Sequence, residues 1–309
     1  MSTGGPTQPR PTRNERREAA REKARLLREE QKKRDRRNRL LIQGGVVVAI
    51  LAVAGLVIGL VLQSTKPAGP GPANMASDGI LLVGGENGIE AVATPAIADG
   101  EDPTPTEPDE SGTVANIVTY IDYLCPYCGQ FETTNNETMR TMVESGAATL
   151  EVHPIAILTN KSAGTQYSLR AANAAACVAE YSPEAFFDFN GLMFENQPEE
   201  LSAGLSNDEI KDIAAEAGAS SSVNACIDET RFKGWVQAAT QRALEGPIPN
   251  SELDAVTGTP TVLVNGKQYV GSLEDTAEFQ AFVLQAAGES YSESNGTPTP
   301  TPTPTPAAG

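Results

Sequence analysis

Asn116-Ile117-Val118-Thr119-Tyr120-Ile121-Asp122-Tyr123-Leu124-Cys125-Pro126-Tyr127-Cys128 is the stretch on which the fold turns. Its first eight residues are rich in β-branched and aromatic side chains, which predicts a strand. The strand runs into a CxxC pair, and a helical pattern follows to about Ser145. Pro126 suits the first helical position, where its fixed φ fits and its missing N–H costs nothing. Two Cys at this spacing can close a disulfide and yet sit in unlike surroundings. Cys125 lies near unpaired backbone N–H groups and the positive end of the helix dipole, which stabilise its thiolate. Cys128, a turn further in, is shielded. Cys125 is therefore expected to be the exposed nucleophile and leaving group, with Cys128 resolving the mixed disulfide from within.

Downstream, Thr149 to Pro154 reads as a second strand, and Thr165–Tyr181, Pro183–Asn196, Asn207–Ala217 and Glu229–Leu244 read as helices. Strand character returns at Thr259-Pro260-Thr261-Val262-Leu263-Val264. The chain then turns at Asn265-Gly266, a strong hairpin signal, and pairs back through Gln268-Tyr269-Val270. Glu274 to Ala287 closes as a helix. Upstream, Gly79–Val83 and Gly88–Ala93 are short apolar runs around Gly84-Gly85-Glu86-Asn87, a hairpin added at the leading edge. A Pro-rich acidic stretch, Asp99 to Glu110, separates it from the main body. The pattern is α/β: strand, helix, strand, a helical insertion at about 160–250, an antiparallel hairpin, and a helix.

Charge divides the chain sharply. Residues 1–40 hold 14 of the 23 Lys and Arg and 6 of the 40 acids, so the overall −17 conceals a basic arm and a strongly acidic remainder. Between them Leu40 to Leu62 carries no charge. At about 1.5 Å per residue, this run makes a helix of roughly 34 Å, against a hydrocarbon core of about 30 Å. It predicts a transmembrane helix; a cleaved signal would have a shorter apolar core and a small-residue cleavage site. Arg34, Arg36, Arg37 and Arg39 abut one end and Lys66 alone the other, which places residues 1–39 in the cytoplasm and the rest outside. Glu15, Glu18, Glu22, Glu29 and Glu30 interleave with the basic arm and no aromatic side chain accompanies them. The arm thus reads as a solvated segment touching membrane lipid, not a nucleic-acid binder. Residues 63–77 read as a linker, 78–290 as the folded domain, and 291–309 as a disordered Thr-Pro-rich tail, with a spacer or glycosylation site as the other reading of that tail.

All four Cys (125, 128, 177 and 226) fall on the outer side, where disulfides persist. A zinc site would need a second CxxC or clustered His, but Cys177 and Cys226 are isolated and His153 is the single His, so no metal is expected. His153 ends the second strand in an apolar stretch and reads as structural. Trp235 and the Phe186-Phe187-Phe189 cluster read as helix core.

Asp122-Tyr123-Leu124-Cys125-Pro126-Tyr127-Cys128, taken with Thr259-Pro260 about 130 residues later and just before a strand and hairpin, resembles the DsbA-like thioredoxin group in its membrane-anchored Gram-positive form. The resemblance covers about Ala115 to Ala287 and implies a thioredoxin fold with its helical domain inserted. It implies that Pro260 is cis, with the Thr259 backbone against the active-site sulfurs, and that Pro126 and Tyr127 support the site. It also implies a structural disulfide between Cys177 and Cys226, worth about 4 kcal/mol in the chain-entropy model; two buried free thiols are the alternative. The sequence departs from the group twice. Thr119 stands where the group often has a buried Glu, leaving Asp122 as the nearest acid, either a proton relay or a structural hydrogen-bonding residue. Pro126-Tyr127 replaces the Pro-His of the strongest oxidants.

The resemblance implies an oxidase without a cofactor, acting on reduced exported proteins and reoxidised by a quinone-linked membrane partner of the DsbB or vitamin K epoxide reductase type. A reductase or isomerase is the second enzymatic reading. A redox-passive peptide-binding module is a third.

Overall fold

The computed structural model describes residues 69–86, 88–109 and 112–295, all within one compact unit. The expected basic arm, the apolar run Leu40–Leu62 and residues 296–309 of the expected tail lie outside the described residues. Among the described residues no helix is long and apolar enough to cross a membrane.

Six strands, β1 (Ile80–Gly85), β2 (Gly88–Ala91), β3 (Ala115–Ile121), β4 (Ala148–Pro154), β5 (Thr261–Val264) and β6 (Lys267–Gln268), form one sheet in the order β2-β1-β4-β3-β5-β6. β3 and β4 are parallel, from Ala115 opposite Ala148 to Ile121 opposite Pro154. The other pairs are antiparallel. The parallel pair needs a crossover, and α1 (Pro126–Glu144) supplies it. Alternation along β3 sends Ile117, Thr119 and Ile121 into the main core with Phe131, Met139 and Val143 of α1. Tyr120 points to the other face, into a small cluster with Ile155, Ala243, Ile248, Val256 and Leu263.

Between β4 and β5 the insertion comprises α2 (Tyr167–Tyr181), α3 (Phe186–Glu195), α4 (Asn207–Glu216), α5 (Ser222–Glu229) and α6 (Lys233–Glu245); α7 (Thr276–Asn295) ends the fold. α2 is apolar nearly all round, with Leu169, Ala172, Ala175, Ala176 and Val178 buried, so it forms the centre on which the other helices pack. α4 starts with a reciprocal capping box between Ser206 and Glu209.

The expected helix Glu229–Leu244 forms as the single helix α6, which starts four residues later, and α5 before it is a helix that was not expected. α5 stops at Thr230, whose φ of 45° is left-handed, and α6 begins at Lys233. Between them the Phe232 N–H donates to the buried Asn173 Oδ1 at 2.8 Å. The strand expected at Gln268–Val270 is shorter: Tyr269 N–H still reaches Val262 O, but Val270 is 86% exposed. α7 runs about two turns past the expected Ala287, to Asn295, so residues 291–295, expected as the start of the disordered tail, are helical. Residues 69–77, expected as the end of a linker, belong to the packed body. Met75 is in the core, and Asn74 Nδ2 donates to Ala179 O at 2.8 Å.

Candidate active site

The site is built where β3 ends and α1 begins. Asp122 makes the corner: its Oδ1 accepts from Leu124 N–H at 2.9 Å, and its carbonyl accepts from Cys125 N–H at 2.9 Å. Its Oδ2 accepts from Leu158 N–H at 2.8 Å and from the Ser168 hydroxyl at 2.7 Å, tying the corner to α2. Burial raises the Asp122 pKa, and these donors offset part of the rise. Asp122 meets a catalytic sulfur through its backbone, whose N–H faces Cys128 Sγ at 3.5 Å. The carboxyl is occupied in holding the corner, so the structure supports the hydrogen-bonding role for this residue.

Cys125 is the N-cap of α1, in extended backbone geometry, with Pro126 next at the first helical position. As a thiol it donates to Thr259 O at 3.2 Å. The Thr259–Pro260 peptide is cis. Cys125 is 5% exposed and Cys128 0%, both as free thiols. The expected exposed nucleophile is therefore nearly covered, because the Thr259 carbonyl sits against its sulfur. Tyr127, by contrast, is 61% exposed beside it.

The two thiols are driven apart. The Cys125 pKa falls from 9.0 to about 6: a hydrogen bond from the Cys128 thiol is the largest cause, burial opposes it, and Thr259 and the N–H groups of Cys128 and Tyr127 add to the lowering. The Thr259 hydroxyl, buried and without a hydrogen-bond partner in the thiol form, is a donor that favours the thiolate. The Cys128 pKa rises well above the ordinary thiol value, first through burial and then through Cys125. A thiolate at Cys125 can attack a disulfide or leave from one, while Cys128 holds its proton until it resolves the intermediate.

Several neighbours were not signalled by the sequence. Gln197, after α3, donates through Nε2 to the carbonyls of Tyr123 and Cys125. Glu132, buried one turn beyond Cys128 on α1, is pushed up to about 8 by burial, with Asn190 donating to it at 3.1 Å. Its place on the inner stripe with Cys128 and Asn135 was readable from helical spacing. Thr119 is buried, and among the described residues its hydroxyl has no hydrogen-bond partner. His153 lies on the sheet face turned away from α1, stacked on Tyr120 with ring centroids 4.4 Å apart and its Nε2 3.3 Å from Glu151 Oε1. Cys177 and Cys226 are joined by a disulfide linking α2 to α5, remote in sequence from the CxxC pair.

A family model described as thioredoxin matches residues 110–284, more than half of the chain. The chain belongs to the thioredoxin family. Within that family it is a DsbA-like thiol:disulfide oxidoreductase. It is 30% identical to reduced DsbA from Mycobacterium tuberculosis, over 71% of this chain and 100% of that one, with a TM-score of 0.49. It is 32% identical to the reduced disulfide bond oxidoreductase DsbG from the same organism, over 59% of this chain and 86% of that one, with a TM-score of 0.47. MdbA, a thiol-disulfide oxidoreductase from Actinomyces oris, is 20% identical over 57% of this chain and 83% of that one, with a TM-score of 0.47. A comparison with curated protein sequences returns no match. This thioredoxin-family member pairs its CxxC with a cis Thr259–Pro260 peptide.

Proposed function

We propose that the chain is a membrane-anchored, extracytoplasmic oxidase that introduces disulfides into exported proteins. The observation that carries the reading is the split between the thiols, with Cys125 lowered to about 6 and Cys128 raised. A client thiolate attacks Cys125 Sγ in the oxidised pair; the Cys125–Cys128 bond breaks, and Cys128 leaves and takes up a proton. The client's second thiolate then attacks the client sulfur of the mixed disulfide, and Cys125 leaves as a stable thiolate. The client loses two electrons and the pair gains them. A low Cys125 pKa stabilises the reduced pair, which draws electrons from client to enzyme. A quinone-linked membrane protein of the DsbB or vitamin K epoxide reductase type is the proposed electron acceptor.

The uncharged run Leu40–Leu62 and its flanking Arg residues support the anchor and its orientation, with the basic arm against anionic lipid. The Cys177–Cys226 disulfide fits an oxidising compartment. Protease added outside intact cells should cut the domain and spare residues 1–39; a fully protected domain would overturn this placement.

One observation favours a second reading. A Cys125 pKa of about 6 lies nearer the thioredoxin value of about 7 than the value of about 3.5 for the strongest DsbA oxidant, as a reductase would require. The deciding experiment is the reduction potential of the full-length chain equilibrated with glutathione, read at the CxxC peptide by differential alkylation. A value at or above about −180 mV supports the oxidase. A value near −270 mV sinks it in favour of the reductase.

A further inference from the structure

Gln197 belongs to the helical insertion, between α3 and α4, yet its side chain ends at the redox centre. Its Nε2 donates to Tyr123 O at 3.1 Å and to Cys125 O at 2.9 Å, reaching back 74 and 72 residues. These carbonyls flank Leu124 in the short segment joining the Asp122 corner to the helix. Cys125 O also accepts the first helical bond, from Gly129 N–H at 3.2 Å. The other end of the amide is fixed by shape: a Cβ on Gly129 would lie 2.3 Å from Gln197 Oε1. The amide is thus wedged against the first turn of α1 on one side and bonded to the preceding loop on the other.

We propose that Gln197 is a positioning residue: it holds the Tyr123–Cys125 backbone in the arrangement that sets the Cys125 sulfur between the Thr259 carbonyl and the first-turn N–H groups. Asp122 fixes where this segment begins, through Leu124 N–H and Cys125 N–H. Gln197 fixes the orientation of its carbonyls, and so the direction in which Cys125 leaves the strand. A Gln amide suits the task because it presents two N–H donors from one neutral nitrogen. Glu at the same place would put negative charge against two carbonyl oxygens. The assignment rests on the thiol chemistry alone and holds whichever way electrons run.

The test is the titration of the Cys125 thiolate by absorbance at 240 nm in the full-length reduced chain. It is joined by the rate of alkylation by iodoacetamide at pH 5 and by the thermal midpoint as a separate readout. Losing a bond of ordinary net strength should move the titration midpoint up by about half a unit to one unit in Gln197→Met, and further in Gln197→Glu. Alkylation at pH 5 should slow about three- to tenfold. Gly129→Ala attacks the same contact from the other side, displacing Gln197 while improving the helix former. It should raise the midpoint similarly, and the Gly129→Ala, Gln197→Met pair should do no more than either alone. Variants that titrate with the parent and lose only thermal stability would overturn the proposal, as would additive shifts in the pair. Should Gln197→Met fail to fold, Gly129→Ala alone decides it by the same midpoint.

Discussion

Glu132→Gln should make this protein more stable at neutral pH, by an amount that grows with pH. Glu132 is 2% exposed, on the inner stripe of α1 with Cys128, Asn135 and Met139. Among the described residues its hydrogen bond is from Asn190, and no ion pair offsets its burial. Burial lifts its pKa from 4.5 to about 8. Because the folded value lies above the unfolded one, the unfolded chain gives up its proton first. Stability is full below about pH 4.5, falls as pH rises, and levels off above about pH 8. At about 1.36 kcal/mol per unit, the cost at pH 7 is about 3 kcal/mol, rising to about 5 kcal/mol above pH 8. Gln keeps the volume and can still accept from Asn190, but carries no proton to lose. The Cys125 thiol works in the opposite sense: its folded pKa of about 6 lies below 9.0, so the reduced form gains stability between those values. Comparing the two chains cancels that contribution. Urea unfolding of reduced parent and variant from pH 4.5 to 9 should give curves that coincide at the acid end and diverge by about 3 kcal/mol at pH 7. Curves that stay parallel across the range, or a variant less stable at pH 7, would refute the reasoning.

Asp122→Ala leaves Leu124 N–H, Leu158 N–H and the Ser168 hydroxyl without their acceptor. At about 1–3 kcal/mol for each stranded buried donor, the urea midpoint should fall steeply; a change below about 1 kcal/mol would show that the corner does not depend on the carboxyl. Replacing Cys177 and Cys226 together by Ala should cost up to about 4 kcal/mol, from the chain entropy released across the 49-residue separation. It should leave the Cys125 alkylation rate unchanged, and a changed rate would show that the disulfide reaches the redox centre.

What the sequence made legible was local. The strand leading into Cys125, Pro126 at the helix start, and the Asn265-Gly266 turn each carry their signature within a few residues, and the elements formed there. What it hid depends on partners far along the chain. The break between α5 and α6 rests on Thr230 in a left-handed conformation, which a β-branched residue rarely adopts and no propensity signals. Residues 69–77 read as a Pro- and Gly-rich linker, yet Met75 lies in the core and Asn74 bonds to Ala179, 105 residues away. Glu132 falls between these cases: its spacing from Cys128 was visible, but its burial without a cation was not.

The redox centre itself divides along the same line. Three segments meet at Cys125: the Asp122–Cys128 corner, the Thr259–Pro260 turn and Gln197. The first two have recognisable sequence patterns because their chemistry needs a particular backbone: a helix start under the sulfur, and a carbonyl against it. Gln197 needs only an amide delivered from elsewhere, so any loop of the right reach could supply it, and no short pattern marks the residue. This difference explains why the reacting groups are readable while Gln197 is not. The CxxC spacing fixes which thiol leaves and which resolves. How readily Cys125 leaves depends first on the Cys128 thiol and the Cys128 and Tyr127 N–H groups within the motif, and on the Thr259 hydroxyl brought from outside it.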